Sequence, residues 1–374
     1  MKKVLFIGHY REASGWGQAA RDYIQAMLTI KDIDLVCRPL VLKGDYKELP
    51  EVIKEAENKS DRMPDICVQH VLPHFFSANQ KIGKNIGLFV TETDTLKYTN
   101  WPIFLYQMDE LWVPNNDIIR NICQTLDVKY RNKTYKVPHA TNVSKFDKTG
   151  VQLSINEING TFKFYFIGEF NRRKNLAALL EAFHVGFHHY DNVSLIIKTS
   201  IPGKSPQEAK QIVQGFCDKV KSSLRMYVNH SYYKPEVIIT ERLSENQLIG
   251  LHRFGDCFVN TSFGEAWSIP AFDAMGFGKT PININHGGPK EFVKEDDLGT
   301  GRLLGSYPEI ICGVDDTIPT MFTGRERWMN IDRDELIAAM KHYEKNKFDS
   351  SIGKLQAAKF SYENVGKIIS ERLK

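Results

Sequence analysis

No stretch of the chain approaches the ~20 consecutive apolar residues of a membrane-spanning helix, although 42% of its 374 residues are apolar. Net charge is nearly absent too, since 49 Lys and Arg against 45 Asp and Glu leave only +4. That excess is too small for a nucleic-acid-binding surface, so any affinity for anions must come from local placement. Cysteine is sparse and scattered. Cys37, Cys67, Cys123, Cys217, Cys257 and Cys312 include no two at the spacing of a zinc or redox pair. Several sit in apolar runs such as Cys257-Phe258-Val259, which reads as buried free thiols in a reducing compartment. Repeats of solenoid period and low-complexity tracts are lacking. The start, Met1 to Gly8, has a basic head, but its apolar run is too short for a leader and Arg11 and Glu12 follow it. It reads as a buried first strand, and the protein is expected to be soluble and cytoplasmic.

What is present is a globular composition, with 25% charged residues and enough length for two domains or three. Short apolar strands alternate with amphipathic helices. Strands are predicted at Val4–Gly8, Ile33–Leu40, Ile66–Gln69, Ile86–Val90 and Leu111–Val113, with another ending at Val137-Pro138. Helices are predicted at Gln18–Leu28 and Asp117–Leu126. The polar segment Thr141–Asn159 reads as a domain crossing. A second series follows, with strands Phe162–Ile167, Val193–Lys198, Val237–Ile239, Cys257–Asn260 and Pro281–Asn285. Its helices are Leu176–Tyr190, Gln207–Tyr227, Glu245–Phe254 and Ala271–Phe277. Ser244-Glu245-Asn246-Gln247 is a capping box and fixes one of these starts. The pattern predicts two doubly wound α/β domains, 1–155 and 156–350, facing a central cleft, and a closing helix within 351–374 that packs back toward the first. Ligands of such sheets bind at the carboxyl ends of the strands.

Three segments could carry chemistry. Gly15-Trp16-Gly17 stands ahead of a helix, where glycines let the backbone approach an anion. It also matches the dinucleotide fingerprint, but His9 to Ser14 separate it from the strand, and the second strand, ending near Leu42, lacks a ribose-binding acid. Gly168-Glu169-Phe170-Asn171-Arg172-Arg173-Lys174-Asn175 puts three consecutive cations between a strand and a helix, a placement suited to a diphosphate. Thr261 to Met275 places Glu265 in a loop after a strand and Asp273 one turn into a helix that Pro270 opens. The N–H groups of Trp267 to Ile269, Ser268 included, would lie between the two acids and face phosphate. Each acid alone is equally at home as an ordinary loop or first-turn carboxylate.

The last segment resembles the signature of retaining glycosyltransferases of the GT-B fold, family 4. The match runs through Ser262, Glu265, Pro270, Asp273, Ala274 and Met275, with Asp at the position of the second Glu. The Gly15–Gly17 loop, Val137-Pro138-His139, Gly168 to Phe183, Gly287-Gly288-Pro289-Lys290-Glu291 and Phe360 to Val365 follow the family's order. The resemblance implies a sugar transferred from a nucleoside diphosphate to a hydroxyl of a glycan, glycolipid or polysaccharide precursor. It implies no cofactor or metal beyond that co-substrate. Lys174 would hold the diphosphate, Glu265 the transferred sugar and Asp273 the ribose, while Gly15 and Gly17 approach the phosphates. The family usually has Arg where Glu169 stands, so Arg172 or Arg173 would replace that charge. Facing the reacting sugar the family often has His. Here Glu92 stands in that region, with His9, Trp16 and His70 as the other acceptor-side residues.

Alternatives are a nucleotide-sugar epimerase of the same fold, a non-catalytic sugar-nucleotide-binding protein and, third, an NAD-dependent enzyme. Asp32-Ile33-Asp34 has the spacing of a Mg²⁺ pair but starts a predicted strand, away from the ligand end. Lys129 to Lys136 could touch anionic lipid at the inner membrane face, although a solvated face explains it better.

Overall fold

The computed structural model describes residues 1–41, 47–153, 155–295, 298–311 and 321–374, so Leu42 and Cys312 lie outside the described residues. By contacts the chain forms two compact units. One holds Met1–Asn142, the described part of Ile310–Arg327, and Ala358–Lys374. The other holds Val143–Glu309 and Trp328–Ala357.

The first unit is built on six parallel strands: β1 Lys2–Gly8, β2 Ile33–Pro39, β3 Ile66–His70, β4 Lys84–Leu88, β5 Glu110–Val113 and β6 Thr134–Lys136. They lie in the order β2-β1-β3-β4-β5-β6. Val4, Phe6, Val68, Ile86 and Trp112 point into a core beneath the helices Gly15–Leu28 and Tyr362–Arg372, and Leu5, Val36 and Cys67 fill the other face. Burial on both faces is why these strands read as continuous apolar runs rather than alternating ones. The closing helix lies against Gly15–Leu28 at Gly366, where an added Cβ would come within 2.6 Å of the Ala26 carbonyl. The Tyr362 hydroxyl donates to Asp22 at 2.7 Å.

The second unit repeats the plan. Its strands are β7 Phe162–Ile167, β8 Val193–Lys198, β9 Glu236–Ile239, β10 Cys257–Phe258, β11 Ile282–Ile284 and β12 Arg302–Leu304. Four pair in the order β10-β7-β8-β9, and β11 pairs with β12. A parallel bridge from Val259 to Ile282 joins the two sets. A small two-stranded sheet, β13 Ser306–Ile310 with β14 Arg327–Ile331, follows.

The contacts divide the chain at 142/143 rather than at 155/156. Phe146 packs on Phe272 and Phe277, and the Val151 amide donates to Asn246 at 2.9 Å. The segment expected over 351–374 also splits, because Gly353 lies directly on the Met275 carbonyl. The helix predicted to reach Tyr190 ends at Gly186, where Asp191 accepts from the His188 amide at 2.7 Å and starts a turn. His188 and His189 therefore lie beyond that helix. Cys37, Cys67, Cys217 and Cys257 are buried free thiols, and Cys123 is half-buried. Among the described residues no helix is long and apolar enough to cross a membrane.

Candidate active site

In the second unit the chain runs from β7 to β8 and β9 on one side, then returns to β10 on the other. The carboxyl ends of β7 and β10 thus flank the point where strand order reverses, which is where open α/β sheets bind ligands. The two loops leaving those ends are Gly168–Asn175 and Val259–Ser268. They are stitched together: the Phe263 amide donates to the Arg173 carbonyl at 2.8 Å, and the Thr261 hydroxyl donates to the Asn175 carbonyl at 2.9 Å. The Asn171 side chain caps the turn by accepting from the Lys174 amide at 3.2 Å. Asn175 takes φ = 47°, the left-handed conformation that asparagine tolerates best among non-glycine residues.

This stitching brings Lys174 and Arg173 onto Glu265. The Lys174 ammonium hydrogen-bonds Glu265 Oε1 directly, and Arg173 Nη1 lies 3.6 Å from the same oxygen while donating to the Gly264 carbonyl at 2.6 Å. Glu265 is only 7% exposed. Burial pushes its carboxyl up, but the charges of Lys174 and Arg173 outweigh that and hold it below the usual carboxylate range. The site therefore keeps an ionised acid beside two cations in a place with little water.

Arg172 turns away and pairs with Glu309 at 3.5 Å, so Arg173 is the arginine that joins Lys174. Glu169 is exposed and accepts from the Asn171 side chain at 3.0 Å. Neither Glu309 nor its second partner Asn330, 2.7 Å away, carries a sequence signal, because both sit on the small β13–β14 sheet.

Asp273 lies in the helix Ile269–Gly276, as the Pro270 start implies, and pairs with Lys145 at 2.6 Å. Lys145 was invisible in the sequence because it belongs to the aperiodic crossing segment. The Trp267 ring is buried against Phe272 and Phe292 at 5.7 and 5.5 Å, so its contribution to a ligand is confined to its backbone. Ser268 adopts φ = 67° just before the helix, and its hydroxyl accepts from Asn260 at 3.2 Å. Behind the loop, Gly287 at φ = 69° would drive a Cβ to 2.1 Å from the Glu265 carbonyl, and the Gly288 amide donates to that carbonyl at 2.9 Å. The glycine pair is thus what holds the Glu265 backbone in place.

The first unit has its own reversal point between β1 and β3, where Gly8 stands in register with His70. Three of the residues expected on the acceptor side, His9, Trp16 and His70, meet there. Trp16 stacks on His70 with ring centres 5.2 Å apart and takes His9 edge-on at 6.2 Å. His70 is fully buried and its pKa falls to about 3, first from burial and then from His9 and His139, so it is a neutral imidazole. Glu92 does not belong to this group; it stands in the segment after β4, between two buried threonines whose hydroxyls are 3.1 Å apart. His139 binds Asp22 at 3.2 Å, and Asp22 also accepts from Gln18 at 3.0 Å. Gly15 is open, with nothing near its missing side chain, whereas at Gly17 a Cβ would lie 2.1 Å from the Glu12 carbonyl. Gly17 is therefore required by the loop itself.

Asp34 sits near the amino end of β2 and pairs with Lys59 at 2.7 Å. Among the described residues no three His, Cys, Asp or Glu side chains gather as metal ligands. In the basic segment, Tyr130 is buried and Lys133 lies over its ring at 5.6 Å, while the Lys129 side chain is outside the described residues.

Residues 152–310 match the model of the family described as Glycosyl transferases group 1. No curated protein matches the chain in sequence. Among solved structures it is similar to HepE of Anabaena in complex with UDP-glucose, at 12% identity and a TM-score of 0.62, covering 100% of this chain and 99% of that one. It is similar to the sucrose-phosphate synthase of Thermosynechococcus elongatus, at 13% identity and a TM-score of 0.63, covering 100% and 98%. An E. coli trehalose-6-phosphate protein bound with UDP-2-fluoro glucose gives 12% identity and 0.63, covering 100% and 99%. At these identities the likeness shows the fold, two Rossmann-like α/β units of the GT-B type. With the family match it supports a transferase of the glycosyl-transferring class.

Proposed function

We propose that the chain is a retaining glycosyltransferase that takes its sugar from a nucleoside diphosphate and passes it to a hydroxyl of a glycan or glycolipid. The observation that carries this is Glu265 held ionised by Lys174 and Arg173 at the reversal point of the second sheet. The match of residues 152–310 to a glycosyltransferase family supports it. A diphosphate entering there meets two fixed cations, and its negative charge grows as the sugar leaves. Such charges aimed at a developing anion stabilise the transition state most where water is excluded. Glu265, released from part of its pairing, would accept hydrogen bonds from the sugar hydroxyls and orient the ring. In front-face attack the bond from the sugar's anomeric carbon to phosphate oxygen breaks as the bond to the acceptor oxygen forms. The acceptor's proton passes to the departing phosphate, so no protein nucleophile is required. Asp273, one turn into its helix, would take the ribose hydroxyls, and Lys145 would hold its carboxylate ready.

The three fold relatives carry UDP-glucose, a UDP-glucose analogue or the name of a sugar-phosphate synthase, so UDP-glucose is the first donor to test. The test is a thermal-shift screen of UDP, GDP, ADP and dTDP, followed by NMR of the product formed from the matching sugar nucleotide. A ligand at 100 times its dissociation constant should add about 2.7 kcal/mol of stability. An inverted anomeric configuration in the product would remove the retaining mechanism. Failure of all four nucleotides to stabilise the protein would remove the donor site.

A further inference from the structure

Along the helix Ile269–Gly276, Ala271, Phe272, Ala274, Met275 and Gly276 are buried, while Ile269, Pro270 and Asp273 are only half-buried. Those three share one face, because Asp273 follows Ile269 by four residues and Pro270 by three. A single uncovered strip thus runs from the helix mouth, directly after the Glu265 loop, to Asp273. Five residues at 1.5 Å each put Asp273 about 7.5 Å along the axis from Ser268. The Lys145 ammonium stands at the end of that strip, 2.6 Å from Asp273 Oδ1, and both side chains are 17% exposed.

The segment that carries Lys145 is docked without this pair. Val143–Asp147 forms a 3₁₀ turn, and its Phe146 ring fills the space beside Gly276, where a Cβ would lie 2.3 Å from the ring. Arg253 clamps the turn, donating to the Phe146 carbonyl at 2.5 Å and to the Lys148 carbonyl at 3.1 Å. A partly exposed ion pair adds little to stability, so packing and the Arg253 clamp hold the turn. What the pair does is fix two opposite charges side by side at the end of the strip. Among the described residues the ammonium faces no other carboxylate, and its Nζ stands 5.3 Å over the Phe146 ring. An ammonium has three donors and a carboxylate only acceptors. Two hydroxyls on adjacent carbons suit that combination: the carboxylate accepts from one, and the ammonium donates to the oxygen of the other.

We propose that Lys145 binds the ribose of the donor together with Asp273, the carboxylate taking one hydroxyl of the 2′,3′-diol and the ammonium the other. The inference rests on the donor reading above and deepens it. Lys145 then touches the nucleotide itself and determines specificity, selecting nucleotides whose sugar carries the diol.

The test is calorimetric titration of the full chain and its K145M, K145R and K145M/D273E variants with UDP and with 2′,3′-dideoxy-UDP, together with melting temperatures of the unliganded proteins. The native chain should prefer UDP. K145M should lose UDP affinity by about tenfold, as befits a charge-assisted contact, and keep its affinity for the dideoxy nucleotide within about twofold. Its melting temperature should change little, because the pair is partly exposed. K145R keeps the charge and should recover part of the preference for UDP. K145M/D273E should recover part of it too, because the longer carboxylate reaches both hydroxyl protons without the ammonium. Equal losses for the two nucleotides in K145M would place Lys145 on phosphate or in the frame of the protein and overturn the proposal. A double variant no better than K145M would also overturn it, since the diol would then lie out of reach of position 273. Equal binding of the two nucleotides by the native chain would refute the proposal and leave the donor reading standing. If the native chain binds neither UDP nor, in the parallel screen, GDP, ADP or dTDP, the donor reading itself fails and takes the proposal with it.

Discussion

Replacing Lys174 by alanine tests the electrostatics of the site without altering the strands that build it. In the native protein Glu265 is 7% exposed and ionised, with Lys174 bonded to it and Arg173 3.6 Å away. Removing one partner of a buried pair typically costs about 3–5 kcal/mol, because the remaining charge is left in a dry place. Arg173 stays, so the expected loss is at the lower end, about 3 kcal/mol at pH 7. The pH dependence follows from the sign of the shift. The folded pKa of Glu265 lies below its unfolded value, so the pair stabilises the native protein above the unfolded pKa and ceases to do so as pH falls through the folded one. In the variant, burial acts with less opposition and pushes the same carboxyl up, so acidification should relieve rather than harm it. The stability gap between Lys174→Ala and the native protein should therefore narrow from pH 7 to pH 5. Urea denaturation at the two pH values measures this, alongside initial rates of sugar transfer, which should fall by about 10²–10³ when a transition-state donor is lost. A variant as stable and as active as the native protein would refute the assignment of Lys174. A gap that widens on acidification would refute the ionised state of Glu265.

Glu265→Gln and Asp273→Asn should fail differently: the first should slow transfer while sparing affinity for the free nucleoside diphosphate, and the second should weaken that affinity more than the maximal rate. Calorimetric titration of both variants with UDP decides this, and the reverse pattern would turn the donor around in its site. Gly287→Ala should destabilise the protein by about 1–3 kcal/mol or more, since the new Cβ meets the Glu265 carbonyl in a left-handed conformation; a neutral result in urea would show that the loop relaxes freely. Glu236→Gln should cost about 3–5 kcal/mol, because Glu236 is buried between His184 at 2.6 Å and Lys221 at 2.7 Å; a loss under about 1 kcal/mol would show that its two partners are satisfied elsewhere. Sugar transfer should survive EDTA, and restoration by Mg²⁺ or Mn²⁺ after chelation had abolished it would overturn the metal-free mechanism.

The strands and loops of the second unit were largely legible in the sequence, for a local reason. β7 and β8 are predicted at the residues where they occur, because a strand buried on both faces is a near-continuous apolar run, broken here only at Lys163 in β7 and at Ser194 and Lys198 in β8. The helix Glu245–Phe254 is likewise placed to the residue, because the Ser244–Gln247 capping box is a contact between residues three apart. The cations of Gly168–Asn175 and the acid of the Thr261–Ser268 loop could be named for the same reason, since each follows a strand end and precedes a helix. What periodicity cannot hold is pairing across the chain. The order of the strands, and with it the two reversal points, comes from which edges meet in the folded core. That order puts Arg173 rather than Arg172 beside Glu265, residues 92 apart in sequence, and gives Asp273 a partner, Lys145, from a segment without pattern. It also buries the side chain of Lys198, which in sequence is only the polar end of an apolar strand. Local rules fix where an element starts and which face it buries; which charges share one dry pocket is decided by long-range packing, whose information is spread over hundreds of residues and appears only when the chain is folded.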